Sequence, residues 1–81
     1  MSRKKSAVGV FGKRIQCLRN EKGMTVEALA NDLHINAATL AKYEEGQKEP
    51  YVEGLIMFAK YFDVSANWLC GISDIREELF L

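Results

Sequence analysis

Two helix-start signals lie close together near the middle of the chain, and they restrict what the sequence can fold into. Thr25 and Asn36 are residue types that commonly cap helix N-termini, and Gly46 stands where the second of these helices should end. About nine residues fit between Thr25 and His34, and Ala37–Glu44 form a second short stretch. The spacing therefore predicts two helices of about eight residues joined by a turn of about three.

The rest of the chain shows helical spacing and no alternating strand pattern. Apolar residues recur at intervals of three and four over residues 8–22, and Gly23 ends that helix. Farther along, Pro50 suits the start of a fourth helix, and Ser65 suits the cap of a short fifth helix that Gly71 ends. The sequence therefore predicts an all-α domain of five short helices.

The chain has 81 residues, of which 48% are hydrophobic, so it can form one domain with a core but not two domains. It contains no uncharged apolar run of about 18 residues, as a membrane span would need. The apolar stretch behind the basic start is too short for a secretion signal. We therefore expect a soluble, cytoplasmic protein with no membrane partner. Because a single small domain leaves no room for a ligand domain, we also expect no small-molecule ligand.

The charges are balanced in number but not in position. Eleven basic and eleven acidic residues give a formal net charge of zero, which argues against a nucleic-acid partner. However, all eleven acidic residues lie in residues 20–81, so residues 1–19 form a purely basic end. Charge alone therefore leaves a nucleic-acid partner open.

The chain has few cysteine and histidine residues that could bind zinc, and they are scattered in sequence. Cys17, Cys70 and His34 are isolated in sequence, whereas a zinc site needs four ligands, so we expect no metal and no cofactor. We interpret both cysteines as small hydrophobes that fill helix faces in a reducing compartment. No acid pair, phosphate-binding loop or nucleophile–base pair can be assembled, so an enzyme has no support.

A longer pattern surrounds the two central helices and covers about residues 11–72. Its residues are Ile15-Gln16-Cys17-Leu18-Arg19, Gly23-Met24-Thr25, Leu29-Ala30, Thr39-Leu40, Tyr43-Glu44-Glu45-Gly46, Pro50, Leu55, Ala59, Phe62-Asp63-Val64-Ser65 and Trp68-Leu69. This pattern resembles the lambda-repressor/Cro-like helix-turn-helix family, also called the XRE family. The resemblance implies a helix-turn-helix DNA-binding domain over residues 8–72, a flexible basic arm over residues 1–7 and a C-terminal tail over residues 73–81. It also implies left-handed backbone at His34, where the family favours glycine.

In this family the second helix of the motif enters the DNA major groove, so the resemblance implies that Ala37–Glu44 is the recognition helix. The residues that it implies for contact with double-stranded DNA are Thr25, Val26, Asn36, Ala37, Ala38, Thr39, Ala41, Lys42, Gln47 and Lys48. Three of them are alanines where the family has polar residues, and alanine offers bases only apolar contact, for example with a thymine methyl. The alternative is that the alanines reflect helix propensity on a solvated face.

Two further sets of charged residues have a predicted role. Arg3, Lys4 and Lys5 are interpreted as a basic arm that follows a DNA groove, and the alternative is a disordered, solubilising tail. The resemblance also implies an ion pair between Arg19 and Glu44, which would tie the first helix to the end of the recognition helix. The alternative is that these two residues are independent surface charges.

Apolar residues near the end of the chain form a candidate dimer surface: Trp68, Leu69, Ile75, Leu79, Phe80 and Leu81. The alternative is a terminal turn folded onto its own core. The resemblance as a whole implies a sequence-specific transcriptional regulator, acting as a repressor, that binds a palindromic operator as a homodimer. The alternative function is a protein-interaction module of the same fold, antitoxin-like or anti-repressor-like, with weak DNA binding.

Overall fold

The computed structural model describes residues 9–77, and within that range it contains five α-helices and no strand. The helices are α1 (Val10–Glu21), α2 (Val26–Leu33), α3 (Ala37–Glu44), α4 (Val52–Phe62) and α5 (Ala66–Leu69). This architecture confirms the predicted all-α class and the predicted number of helices.

Side-chain caps begin three of the helices at the predicted residues. The hydroxyl of Thr25, the amide oxygen of Asn36 and the hydroxyl of Ser65 accept hydrogen bonds from backbone N–H groups in the following turn, at 3.0, 2.7 and 3.2 Å respectively. Each bond satisfies an N–H group that the first helical turn leaves without a partner. The starts of α2, α3 and α5 are therefore encoded locally.

The other two helices begin later than predicted. α1 begins at Val10, because Gly9 adopts a left-handed backbone with a φ of 88° that does not belong to an α-helix. Pro50 is not the first residue of α4: Tyr51 lies in extended conformation at the N-cap, and the helix begins at Val52. Neither start has a side-chain cap, so the sequence contained no capping signal there.

The turn between α2 and α3 has the left-handed backbone that the resemblance implied. His34 has a φ of 59°, and the next residue, Ile35, donates its N–H to the carbonyl oxygen of Ala30 at 3.0 Å. This bond satisfies a carbonyl at the end of α2 and lets the chain reverse within a few residues. The turn thereby sets α3 directly against α2.

The core lies where the five helices meet. Its buried apolar residues are Phe11, Ile15, Leu18, Leu29, Ala30, Leu33, Leu40, Phe58, Ala59, Phe62, Val64 and Leu69. The rings of Phe11, Tyr43 and Phe58 meet edge to face with centroids 5.2–5.9 Å apart, a favourable arrangement that joins α1, α3 and α4. The core therefore holds α3 on one side, through Leu40 and Tyr43.

The free cysteines differ in their surroundings. Cys17 is exposed, with its Sγ 3.6 Å from a carboxylate oxygen of Glu21, whereas Cys70 is half-buried. The expectation that both fill helix faces as small hydrophobes is therefore wrong for Cys17, because the position faces solvent.

Residues 9–77 contain neither a candidate membrane-spanning helix nor a candidate metal-binding group. Within residues 9–77 no helix combines the length and apolar character needed to cross a bilayer. Over the same residues, no three side chains of His, Cys, Asp or Glu come together in a group that could hold a metal ion.

Candidate nucleic-acid interface

The part of α3 that the core leaves accessible consists of small and polar residues. Ala38 and Lys42 are exposed, and Ala37, Thr39 and Ala41 are half-buried. Ala37 also packs against the core, which limits how much of it a ligand could reach. The outward side of α3 therefore offers a shallow apolar surface with one positive charge, on Lys42.

The N-termini of α2 and α3 are the second component of the site. Thr25 and Asn36, which cap them, are both exposed. Backbone N–H groups at a helix N-terminus attract anions, and phosphate is the anion that nucleic acids present. Val26 is half-buried and packs against the core, so its side chain is only partly accessible for such a contact.

The loop after α3 brings both signs of charge to the same region. Gln47 and Lys48 are exposed there, and so are Glu45 and Glu49. Glu49 also accepts a hydrogen bond from the N–H of Gly9 at 3.3 Å. This bond places the loop beside the point where the described chain begins. With Lys48 against Glu45 and Glu49, the loop has a net negative charge of its own.

The C-terminal end of α3 is fixed by a nearly buried ion pair. Arg19 Nε donates to Glu44 Oε2 at 2.7 Å, and Arg19 Nη2 donates to Glu44 Oε1 at 2.9 Å. The two side chains are only 12% and 6% exposed, and the remaining Arg19 nitrogen donates to the carbonyl oxygen of Met24 at 2.8 Å. The structure thus brings together the two residues that the resemblance paired, and the same guanidinium also holds the segment before α2.

The hydrogen bond to Glu44 is the main reason that the pKa of the Arg19 guanidinium is raised, while burial acts in the opposite direction. Arg19 is therefore permanently charged, and its charge is neutralised inside the protein. It cannot be counted among the groups that attract DNA.

A glycine that the sequence reasoning did not single out lies at the same junction. A Cβ added to Gly12 would lie 2.1 Å from the carbonyl oxygen of Tyr43 and 2.9 Å from that of Glu44. The backbones of α1 and α3 are therefore in direct contact at the C-terminal end of α3. The available signal was a glycine inside a helical pattern, which often has a packing reason.

The basic end predicted from the charge pattern is smaller than the count suggested. The guanidinium of Arg14 donates to the carbonyl oxygens of Trp68 and Ser73, the latter at 3.2 Å, and lies 3.9 Å from a carboxylate oxygen of Asp74. Like Arg19, it is engaged within the domain, whereas Lys13 is exposed. The predicted arm residues Arg3, Lys4 and Lys5 lie outside the described residues.

The candidate dimer surface is also changed. Leu69 is fully buried in the core of its own domain, so assigning it to a dimer surface is wrong. Trp68 is half-buried, with the guanidinium carbons of Arg14 and Arg76 at 4.7 and 5.4 Å from its ring centroid. Ile75 is exposed, and so is Ile72, which the sequence reasoning did not include. The remaining members, Leu79, Phe80 and Leu81, lie outside the described residues.

Comparison with known families and solved structures gives a consistent result. A family described as a helix-turn-helix domain matches residues 12–70. Among solved structures, the restriction-modification controller protein C.AhdI from Aeromonas hydrophila superposes with a TM-score of 0.68 at 26% sequence identity. The superposition covers 80% of this chain and 97% of that one.

Several curated proteins are similar in sequence. The uncharacterized HTH-type transcriptional regulator YobD of Bacillus subtilis (strain 168) is 29% identical over 65 residues, which is 80% of this chain and 58% of YobD. The HTH-type transcriptional activator BcrR of Enterococcus faecalis is 34% identical over 59 residues, or 73% of this chain and 29% of BcrR. The HTH-type transcriptional regulator AnsR of Bacillus subtilis (strain 168) is 36% identical over 58 residues, or 72% of this chain and 50% of AnsR. The chain thus spans from about a third to just over half the length of these relatives.

Proposed function

Because this chain belongs to the XRE-type helix-turn-helix family of transcriptional regulators, we propose that it binds specific DNA sequences and thereby regulates transcription in the cytoplasm. In the finer form of the proposal, it is a repressor that binds a palindromic operator as a homodimer. Its action is binding rather than catalysis, and it needs no cofactor.

The observation that carries the proposal is the way α3 is presented. One side of α3 is held in the core through Leu40, its C-terminal end is fixed to α1, and its opposite side and capped N-terminus are exposed. An α-helix fits the major groove of B-DNA, and N-terminal residues of the recognition helix are those that reach base edges. A helix that is held by the core on one side and exposed on the other is suited to enter the major groove.

Selection from a random pool of double-stranded DNA at near-physiological salt tests the proposal. We expect enrichment of a two-fold symmetric consensus, with α3 of each copy contacting one half-site. Recovery of no consensus would overturn the proposed function.

Two lysine variants test which surface contacts the DNA. Lys42→Ala removes the exposed charge on α3, and we expect it to lower the slope of log K against log salt by about one phosphate contact. Lys60→Ala is the matched control, because Lys60 is also exposed but lies on α4, outside the motif. Equal effects of the two variants would mean that α3 is not the contact surface.

The homodimer is proposed because one small domain contacts too few base pairs for specificity in a genome. Two copies related by two-fold symmetry place their recognition helices about 34 Å apart, one turn of DNA. We propose that the exposed Ile72 and Ile75, with the half-buried Trp68, form the described part of the dimer surface. Leu79, Phe80 and Leu81 continue this surface in the proposal.

Sedimentation analysis of two isoleucine variants tests the dimer surface. We expect Ile75→Glu to shift the protein toward the monomer and to weaken binding to a two-fold site. Ile56→Glu is the control, since Ile56 is similarly exposed but lies on α4. Dissociation by Ile56→Glu alone would move the dimer surface to α4.

The basic arm over residues 1–7 is retained in the proposal. The bond between the Gly9 N–H and Glu49 places the start of the described chain beside the loop after α3. An extended chain covers at most about 3.5 Å per residue, so Arg3, Lys4 and Lys5 are within reach of DNA held by α3. Deletion of residues 2–6 is expected to flatten the salt dependence of binding, and an unchanged slope would remove the arm from the interface.

Repression is the simplest outcome for a bound dimer, since occupation of a promoter needs no further contact with polymerase. In vitro transcription from a promoter that contains the selected consensus is expected to fall as the protein is added. A rise would instead indicate activation, as the name of the relative BcrR states for that protein.

The protein-interaction module is kept as a second candidate because of the exposed acidic residues near the motif. Glu27 lies in the first turn of α2, and Glu45 and Glu49 lie in the loop after α3. These carboxylates would repel phosphate, whereas a basic protein surface would attract them. Failure to select DNA, with stable binding of a purified basic partner that Glu45→Gln weakens, would favour this candidate.

A further inference from the structure

Gly12 is the most closely confined glycine of the described chain. It lies inside α1, and the nearest atoms to a Cβ at this position would be backbone atoms of Tyr43 and Glu44, at the C-terminal end of α3. Backbone atoms cannot rotate away as the end of a flexible side chain can. Any larger residue at this position must therefore separate α1 from α3.

The same end of α3 has two more fixed contacts with α1. The Arg19–Glu44 ion pair joins the helices at 2.7 Å, and the ring of Phe11 meets the ring of Tyr43 at a centroid distance of 5.7 Å. Gly12 lies between Phe11 and Arg19 in sequence, at a point where the backbones of α1 and α3 are in direct contact. The junction therefore has no slack in which an added methyl group could be accommodated.

We propose that Gly12 is a positioning residue for DNA recognition, because its lack of a side chain sets the orientation in which α3 meets DNA. This inference rests on the proposed function. It assigns a role in sequence specificity to a residue of α1 that lies behind the recognition helix and touches no DNA itself.

The size of the expected displacement follows from the geometry. Close contacts between carbon and a carbonyl oxygen are about 3.3 Å or longer, so an alanine Cβ that starts 2.1 Å from the Tyr43 oxygen must move the helices apart by about 1 Å. α3 has eight residues and is about 12 Å long, so such a shift at one end also tilts the other end. The capped N-terminus of α3 would then meet the bases in a different position.

The test is the ratio of affinities for the selected site and for unrelated DNA, measured for Gly12→Ala. We expect the affinity for the selected site to fall at least about tenfold, comparable to one mismatched base pair, while the affinity for unrelated DNA stays within about twofold. Gly54→Ala is the matched control. Gly54 is also a helical glycine, but its added Cβ would lie 3.5 Å from the Pro50 side chain, an ordinary contact.

A second control separates positioning from stability. Val64→Ala shortens a buried side chain in the link between α4 and α5, and it should lower the melting temperature without moving α3. All variants are compared in the osmolyte TMAO, which favours the compact state and keeps a weakened variant folded. Positioning predicts that only Gly12→Ala changes the affinity ratio.

Two outcomes distinguish the inference from the function on which it rests. If folded Gly12→Ala keeps the wild-type ratio, or if Val64→Ala changes the ratio equally, Gly12 is a packing residue and the inference is wrong. If the wild-type protein itself shows no preference for any DNA sequence, the proposed function fails first.

Discussion

The two ends of α3 are held by different kinds of interaction. At the start, the exposed side chain of Asn36 caps the helix with one hydrogen bond of 2.7 Å, just after the strained turn at His34. At the end, the nearly buried pair of Arg19 and Glu44 and the close approach of Gly12 fix the helix to α1.

This difference separates fixed packing from direct contact with a ligand along one short helix. The end of α3 contributes to the free energy of unfolding and, in the proposal above, to the orientation of the helix, because its contacts are buried and involve another helix. The start of α3 contributes less to stability but carries the exposed groups that could meet a ligand. Substitutions at the two ends should therefore have effects of different size and kind.

The largest effect is expected from the buried ion pair. Glu44→Ala leaves the Arg19 guanidinium nearly buried and without its carboxylate, which should lower the free energy of unfolding by about 3–5 kcal/mol. Glu21→Ala is the control, because it breaks the pair with Arg76, which is exposed and screened by solvent, so its loss should be much smaller. Urea denaturation measures both. Similar losses in the two variants would contradict the assignment of stability to the end of α3.

Removal of a helix cap should cause the next largest loss of stability, and two of the caps can be compared directly. Asn36→Ala and Ser65→Ala each remove one side-chain cap, so each should cost about 1 kcal/mol in thermal or urea unfolding. Only Asn36→Ala should also weaken DNA binding, since α5 lies outside the motif. Equal DNA affinities of the two variants would show that the start of α3 takes no part in binding.

A substitution in the turn before α3 is expected to increase the stability of the domain. His34 has a φ of 59°, so His34→Gly should relieve backbone strain. Glycine also gives the unfolded chain more conformational entropy, which offsets part of this gain. The net effect should stabilise the domain by about 0.5 kcal/mol. His34→Ala should stabilise less or not at all, because alanine keeps the strain. Calorimetric melting of the two variants measures the difference, and a more stable alanine variant would mean that strain at this turn is negligible.

The smallest effect concerns pH, at a contact between α2 and α4 that involves neither end of α3. Tyr61 donates its hydroxyl hydrogen to Asp32 at 2.7 Å, and this bond raises the pKa of Tyr61 above its ordinary value of 10.0. A raised pKa in the folded state means that this contribution to stability is complete below pH 10 and is lost as the pH rises through the folded-state pKa. Alkaline unfolding of Tyr61→Phe should lack that loss, and parallel pH profiles would rule out the coupling.

Local signals in the sequence were sufficient for much of the fold. Thr25, Asn36 and Ser65 each begin a helix at the predicted place, because a cap acts on backbone groups only two or three residues away. Where no cap exists, the predicted starts were early. The left-handed backbone of Gly9 and the extended Tyr51 depend on how the chain enters the fold, which local residue preferences do not show.

The long-range contacts, in contrast, could not be predicted from local signals in the sequence. The pairing of Arg19 with Glu44 was available only through family resemblance, since 25 residues separate them in sequence. Gly12 showed only that a side chain was missing, because the carbonyl groups that it meets belong to another helix. The engagement of Arg14 by Trp68 and Ser73 was likewise invisible to a count of charges.

The guanidinium groups of Arg14 and Arg76 both lie over the ring of Trp68, and this residue provides an intrinsic fluorescence signal. Trp68 is the only tryptophan of the chain, so its fluorescence arises from one place, where α1, α5 and the segment after α5 come together. It lies outside the motif of α2 and α3 and belongs to the proposed dimer surface. Its emission should therefore follow association of two copies separately from their contact with DNA, which allows assembly and binding to be timed independently in a single sample.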